Sequence, residues 1–82
     1  MKLPLTQLVP IVERLQQAHS SAPQVVVDVL TAMHGARVRY IAGTYELRMG
    51  GVAGTSTSGS DNGLLGSWLR AARRKLERSA GK

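Results

Sequence analysis

The 82-residue sequence predicts an α+β fold, a three-stranded antiparallel β-meander with helices packed on one face, in the order α-α-β-β-β-α. Three observations predict it. Apolar residues recur at helical spacing in two N-terminal segments and one C-terminal segment. Between them the period drops to two, the signature of strands. Two-residue turn signals, Ala42-Gly43 and Gly50-Gly51, then divide that middle stretch into three.

The first helix is expected over Thr6 to Ala18, where Leu8, Ile11, Val12, Leu15 and Ala18 form a stripe. Gln7, Glu13, Arg14, Gln16 and Gln17 lie off it. Pro10 is tolerated only in a first turn, so regular helix is expected to begin close to it. After the break at His19-Ser20-Ser21, Ser21-Ala22-Pro23-Gln24 has the form of a capping box, with Ser21 as N-cap. Val26, Val29, Leu30 and Met33 follow at helical spacing and Gly35 supplies the stop. This predicts a helix over Ala22 to His34, although the run Val25-Val26-Val27 favours a strand and keeps that alternative open.

From Arg37 onward Val38 and Tyr40 point one way and Arg37, Arg39 and Ile41 the other. Tyr45, Leu47 and Met49 then alternate with Thr44, Glu46 and Arg48. A two-residue turn at Ala42-Gly43 sets Tyr40 against Tyr45, Val38 against Leu47, Arg39 against Glu46 and Arg37 against Arg48. Gly50-Gly51 leads into a third strand over Val52 to Thr57. Gly54 and Ser56 fall on its apolar face, so it is expected to be weak and to lie at an edge. The run Ser58-Gly59-Ser60-Asp61-Asn62-Gly63 is loop chemistry with several N-cap candidates. The last helix, Asn62 to Arg78, carries Leu65, Trp68, Leu69, Ala72 and Leu76 on one stripe and Arg70, Arg74 and Arg78 opposite. Trp68 is expected in the core.

Composition bounds the function. Eighty-two residues make a single small basic domain, 1–82, with room for one core only. Cys is absent, which excludes disulfides, thiolate catalysis and Cys-based zinc sites. The apolar stretch at the start is interrupted by Pro4 and Pro10 and closed by Glu13 and Arg14, and nothing reaches the ~20 apolar residues of a membrane span. A bacterial cytoplasmic protein without cofactor or membrane contact is therefore expected. Five carboxylates, Glu13, Asp28, Glu46, Asp61 and Glu77, are scattered, and Glu46 is expected to pair with Arg39. His19 and His34 both fall at helix ends, where they satisfy terminal carbonyls more readily than they do chemistry. Neither an enzyme nor a metal site is expected.

The charge pattern carries more. Eleven Lys and Arg against five Asp and Glu leave a formal charge of +6. Six of the cations, Arg70, Arg73, Arg74, Lys75, Arg78 and Lys82, lie in the last thirteen residues. Arg37, Arg39 and Arg48 gather on the polar sheet face. A run of this kind is often only a solvated helix face. Here Arg outnumbers Lys eight to three, favouring the planar fork that grips carboxylate and phosphate. Arg37 facing Arg48 is a like-charge pair that an anionic partner would relieve. Arg37, Arg39, Arg48, Arg70, Arg73, Arg74, Lys75 and Arg78 are the candidate partner-binding residues.

Two resemblances follow. Tyr45-Glu46-Leu47-Arg48-Met49, the Gly50-Gly51 turn, and a helix carrying Ala71-Ala72 and Leu76 resemble in layout the end of a double-stranded-RNA-binding domain. That family opens its last helix with a Lys-Lys pair, where this chain has Ser60-Asp61-Asn62-Gly63. Gly43-Thr44-Tyr45-Glu46-Leu47-Arg48-Met49-Gly50-Gly51-Val52, followed by Leu64-Leu65, Trp68 and Ala71-Ala72-Arg73, resembles the small proteins of phages and prophages, a pool that includes anti-CRISPR inhibitors. That resemblance implies a non-enzymatic inhibitor of a host protein or ribonucleoprotein complex with an acidic or phosphate-bearing surface. The alternative is a small nucleic-acid-binding accessory or regulatory protein gripping phosphates through Arg70, Arg74 and Arg78. The weak third strand and small core also allow a homodimer.

Overall fold

In the computed structural model, which describes residues 3–57 and 60–80, the chain runs α1 (Leu5–Ala18), α2 (Pro23–His34), β1 (Arg37–Ile41), β2 (Thr44–Met49), β3 (Val52–Ser56) and α3 (Asp61–Ala80). Lys82 of the basic run and Ser58-Gly59 of the loop lie outside the described residues. The segment left open between helix and strand is helix, over Pro23–His34, with Ala22 as its N-cap.

The sheet is antiparallel in the order β1-β2-β3. Its first register is Arg37 with Arg48, Val38 with Leu47, Arg39 with Glu46, Tyr40 with Tyr45 and Ile41 with Thr44, as the alternation predicts. Both turns put two residues at positive φ, Ala42 at 52° with Gly43 at 84°, and Gly50 at 62° with Gly51 at 78°. That geometry matches the right-handed twist of the strands it joins. Ala42 is the only non-glycine among the described residues with positive φ.

α1 begins at Leu5 with Pro4 as N-cap, so Pro10 lies inside the helix and not at its start. The Gln7 and Leu8 N–H groups both donate to the Pro4 carbonyl, which nucleates the helix upstream. Pro10 removes one later bond, from its own position to the Thr6 carbonyl, and both residues face solvent. The expected stripe shifts accordingly: Leu8, Val9 and Val12 are buried, while Ala18 is exposed.

The capping box at Ser21 is not formed. Pro23 takes the first helical position of α2, which makes Ala22 the N-cap, without any side-chain capping bond. Ser21 stands one residue too early. Val26, Val27 and Leu30 are buried and Met33 is 72% exposed, so the buried face of α2 is rotated from the expected one. α3 is capped by Ser60, whose Oγ accepts from the Gly63 N–H at 3.2 Å, the N-cap to N3 bond.

One core cluster joins Leu8, Val12, Val26, Leu30, Leu47, Met49, Val52, Leu64, Leu65, Trp68 and Ala72. Trp68 is fully buried at its centre, and its indole Nε1–H donates to the Met49 carbonyl at 3.1 Å. The bond removes the penalty of a buried unpaired donor. Gly54 explains how α3 lies so close: a Cβ there would sit 2.3 Å from the Trp68 backbone nitrogen. The residue that weakens β3 by propensity is thus the one that seats the helix on it.

The helices do not cover the whole apolar face. Every residue of β1 is exposed, including Val38 at 43% and Tyr40 at 63%. Those two, expected beneath the helices with Tyr45 and Leu47, lie beyond their reach, because α3 packs chiefly over β3 with lesser contact to β2. Tyr40 is instead packed on half-buried Tyr45, ring centroids 4.7 Å apart at 54°.

Candidate functional site: a cationic surface around the second turn

Each candidate cation is placed by the element that carries it. Arg37 opens β1 and Arg48 lies near the end of β2 on adjacent strands, so the register brings them side by side on the outer sheet face. Arg74, Lys75 and Arg78 occupy the exposed side of α3, because its opposite side is committed to Trp68, Leu69 and Ala72. The Gly50-Gly51 turn lies between the two groups. On one side a groove of about 640 Å³ is bounded by Leu5, Leu8, Met33 and His34, with Arg37 and Arg48 at its wall. On the other a shallower hollow of about 310 Å³ is bounded by Ala71, Arg74, Lys75 and Arg78. Gly51, Val52 and Ala53 border both. Lys75 reaches the turn itself, its Nζ lying 3.5 Å from the Gly51 carbonyl oxygen.

Three of the eight candidates stand outside this grouping. Arg39 lies farther along β1, opposite Glu46. Arg70 is exposed on α3 and folds its guanidinium beside Gly66, one turn back. Arg73 forms an ion pair with Glu13 of α1 and ties the two helices together.

The expected Arg39–Glu46 pair is replaced by another. Glu46 Oε1 lies 3.4 Å from Arg48 Nε, two residues along the same strand and on the same face. A carboxylate beside Arg48 also eases its juxtaposition with Arg37. Among the described residues Arg37, Arg39, Arg70, Arg74 and Arg78 form no ion pair. The guanidinium groups are thus turned outward, and most are not consumed by the chain's own carboxylates. Exposed pairs such as Arg73–Glu13 contribute up to about 1 kcal/mol.

The chemistry available is electrostatic. The carboxylates are distributed over α1, α2, β2 and α3, and among the described residues no group of three or more His, Asp or Glu gathers to hold a metal ion. No polar or charged residue among the described ones is buried. No described helix is long and apolar enough to cross a membrane.

Some features of the surface are not legible from the periodicity. Met33 and His34 face the first groove because Gly35, at φ 70°, ends α2 and turns the chain directly into β1. The uncovered apolar strip Val38, Tyr40 and Ile41 has no sequence signal apart from the brevity of the helical stripes. In comparison with known proteins, no family model, no curated protein and no solved structure matches the chain.

Proposed function

We propose that this chain is a non-enzymatic binding protein that occludes an acidic or phosphate-bearing surface of a larger host assembly, in the manner of phage-borne inhibitors of CRISPR effector complexes. One observation carries the reading: outward-facing arginines on three elements, β1, β2 and α3, most of them unpaired among the described residues, flank a glycine turn beside an open groove. Such guanidinium groups match carboxylate and phosphate geometry and leave steering and register to charge. The uncovered apolar residues of β1 supply the area that charge alone lacks. The phage-type inhibitor is the specific form suggested by the resemblance of residues 43–52 and 64–73 to small phage proteins.

The test is direct. Purified chain is added to a purified CRISPR effector ribonucleoprotein, and capture of its target DNA is read by gel shift. Capture is expected to fall with added chain and to recover when Arg74→Glu and Arg78→Glu are introduced together. Undiminished capture at saturating chain would exclude the inhibitor form.

A second reading rests on the same cations. Arg70, Arg74 and Arg78 recur every fourth residue along α3 and could follow a phosphate backbone. In that case the chain binds free duplex RNA or DNA, with an affinity that falls steeply with salt. Asp61 in the first turn of α3 stands where a double-stranded-RNA-binding domain would place cations, which favours the protein-assembly reading.

A further inference from the structure

We infer that the open edge of β1 accepts an extended acidic segment of the protein partner as a fourth antiparallel strand, with carboxylates opposite Arg37 and Arg39 and apolar residues opposite Val38 and Tyr40. The inference rests on the binding reading above and names the partner's chemistry. The two sheet edges differ in what their outward backbone groups meet. In a two-residue hairpin the pair flanking the turn exchanges both hydrogen bonds, and the pairs alternate from there. On β3 that alternation points the Thr55 N–H away from β2, and it is found donating to Ser67 Oγ of α3 at 3.0 Å. On β1 the same alternation, starting from Ile41 with Thr44, turns the N–H and C=O groups of Val38 and Tyr40 outward. Among the described residues nothing beyond the sheet receives them. A strand edge of this kind is a template for pairing.

The side chains on that edge select the occupant. Arg37 and Arg39 share the outer face, and the carboxylate opposite Arg39, Glu46, is engaged by Arg48. Val38 and Tyr40 share the inner face and are both exposed. An incoming strand therefore meets cations at one set of alternate positions and apolar surface at the other. A second copy of this chain is disfavoured by its own charges. Antiparallel self-pairing centred on Arg39 sets Arg39 against its counterpart, and centring on Val38 sets Arg37 against Arg39 twice. Centring on Tyr40 runs the pairing into the turn at Ala42. A nucleic-acid backbone would satisfy the arginines, but its phosphates offer only acceptors and leave the outward carbonyls without donors.

The probe is a short acetylated peptide alternating glutamate and valine, with a lysine–valine peptide as its control. Binding is followed by amide chemical shifts and hydrogen exchange on the full chain. The glutamate peptide is expected to slow exchange of the Val38 and Tyr40 amides selectively, while the lysine peptide does not. Arg37→Glu with Arg39→Glu, two exposed charge pairs, is expected to weaken the glutamate peptide about tenfold and to admit the lysine peptide. Val38→Pro removes an outward donor that β2 does not use and is expected to abolish protection with the hairpin intact. The charge reversal decides the matter if that variant does not fold. Shifts confined to Arg74, Lys75 and Arg78 would overturn the strand while leaving the anionic-partner reading in place. No binding at either surface would overturn both, and protection appearing with chain concentration alone would overturn the acidic partner by assigning the edge to a second copy.

Discussion

β1 and β3 are both edge strands of one three-stranded sheet, yet β3 is packed at backbone distance against α3 while all five residues of β1 are exposed. By propensity the order is reversed. β1 reads Arg-Val-Arg-Tyr-Ile, rich in β-formers, and β3 reads Val-Ala-Gly-Thr-Ser. The difference lies in what each strand presents to a helix. Gly54 lets the α3 backbone approach where any Cβ would collide with Trp68 and Ser67, and Ser67 then satisfies the outward Thr55 N–H. β1 has large side chains and little helical surface to meet them, since α1 and α2 pack chiefly with each other and with α3. Small residues closed one edge, and a shortage of helical surface left the other open.

The comparison can be broken most severely at the seam. Trp68→Ala removes the largest fully buried side chain and, with it, the indole hydrogen bond to the Met49 carbonyl. A loss of about 3–5 kcal/mol is expected in chemical denaturation. A loss under about 1 kcal/mol would show that the ring is not central to the core. Gly54→Ala adds one methyl but places it against backbone, which cannot swing aside as a side chain can. We expect a loss of about 3 kcal/mol, far beyond a strand propensity effect of opposite sign. A neutral or stabilising result would show that α3 does not sit where it is described.

On the open side the corresponding truncation is mild. Val38→Ala is expected to cost no more than about 0.5 kcal/mol, whereas its cross-strand partner Leu47, fully buried, is expected to cost at least about 2 kcal/mol on the same change. Equal losses would mean that β1 is covered after all. The turn beside it tests strain instead of packing. Ala42 holds φ 52°, a region costing an L-residue about 1 kcal/mol, and Ala42→Asn would relieve part of it. A rise in melting temperature of a few degrees, about 4 °C, is the expected outcome.

The same contrast marks what the sequence could disclose. Element order, both turns, the strand register and the burial of Trp68 were legible, because each follows from local periodicity or turn chemistry. Ser60 as the cap of α3 was one of several candidates, and only the three-residue spacing to the Gly63 N–H singles it out. Ser21 misleads because Pro23 competes for the first helical position and wins. Coverage of β1 could not be read at all: alternation says which residues share a face, and not whether anything packs against it. For the candidate site, outward placement of the arginines was legible from α3's stripe and β1's alternation. The engagement of Arg73 by Glu13 was not, since sixty residues separate them and only the packing of α1 on α3 brings them together.

The smallest expected effect on stability is also the sharpest test of the surface. Arg70 and Arg74 lie on the exposed side of α3 without a carboxylate partner among the described residues, so Arg70→Glu with Arg74→Glu removes no ion pair. The double change also keeps good helix formers in place, and its second carboxylate falls four residues before Arg78, a favourable spacing. The melting temperature is therefore expected to stay within about 2–4 °C of the parent, the equivalent of roughly 0.5 kcal/mol. Partner binding, by contrast, is expected to be abolished, because reversing two charges replaces attraction with repulsion at an interface steered by charge. Retained binding would move the interface to the β1 edge alone. A large loss of stability would mean that these guanidinium groups hold the fold together, and the outward-facing ridge of α3 would then be a structural feature with no partner to explain.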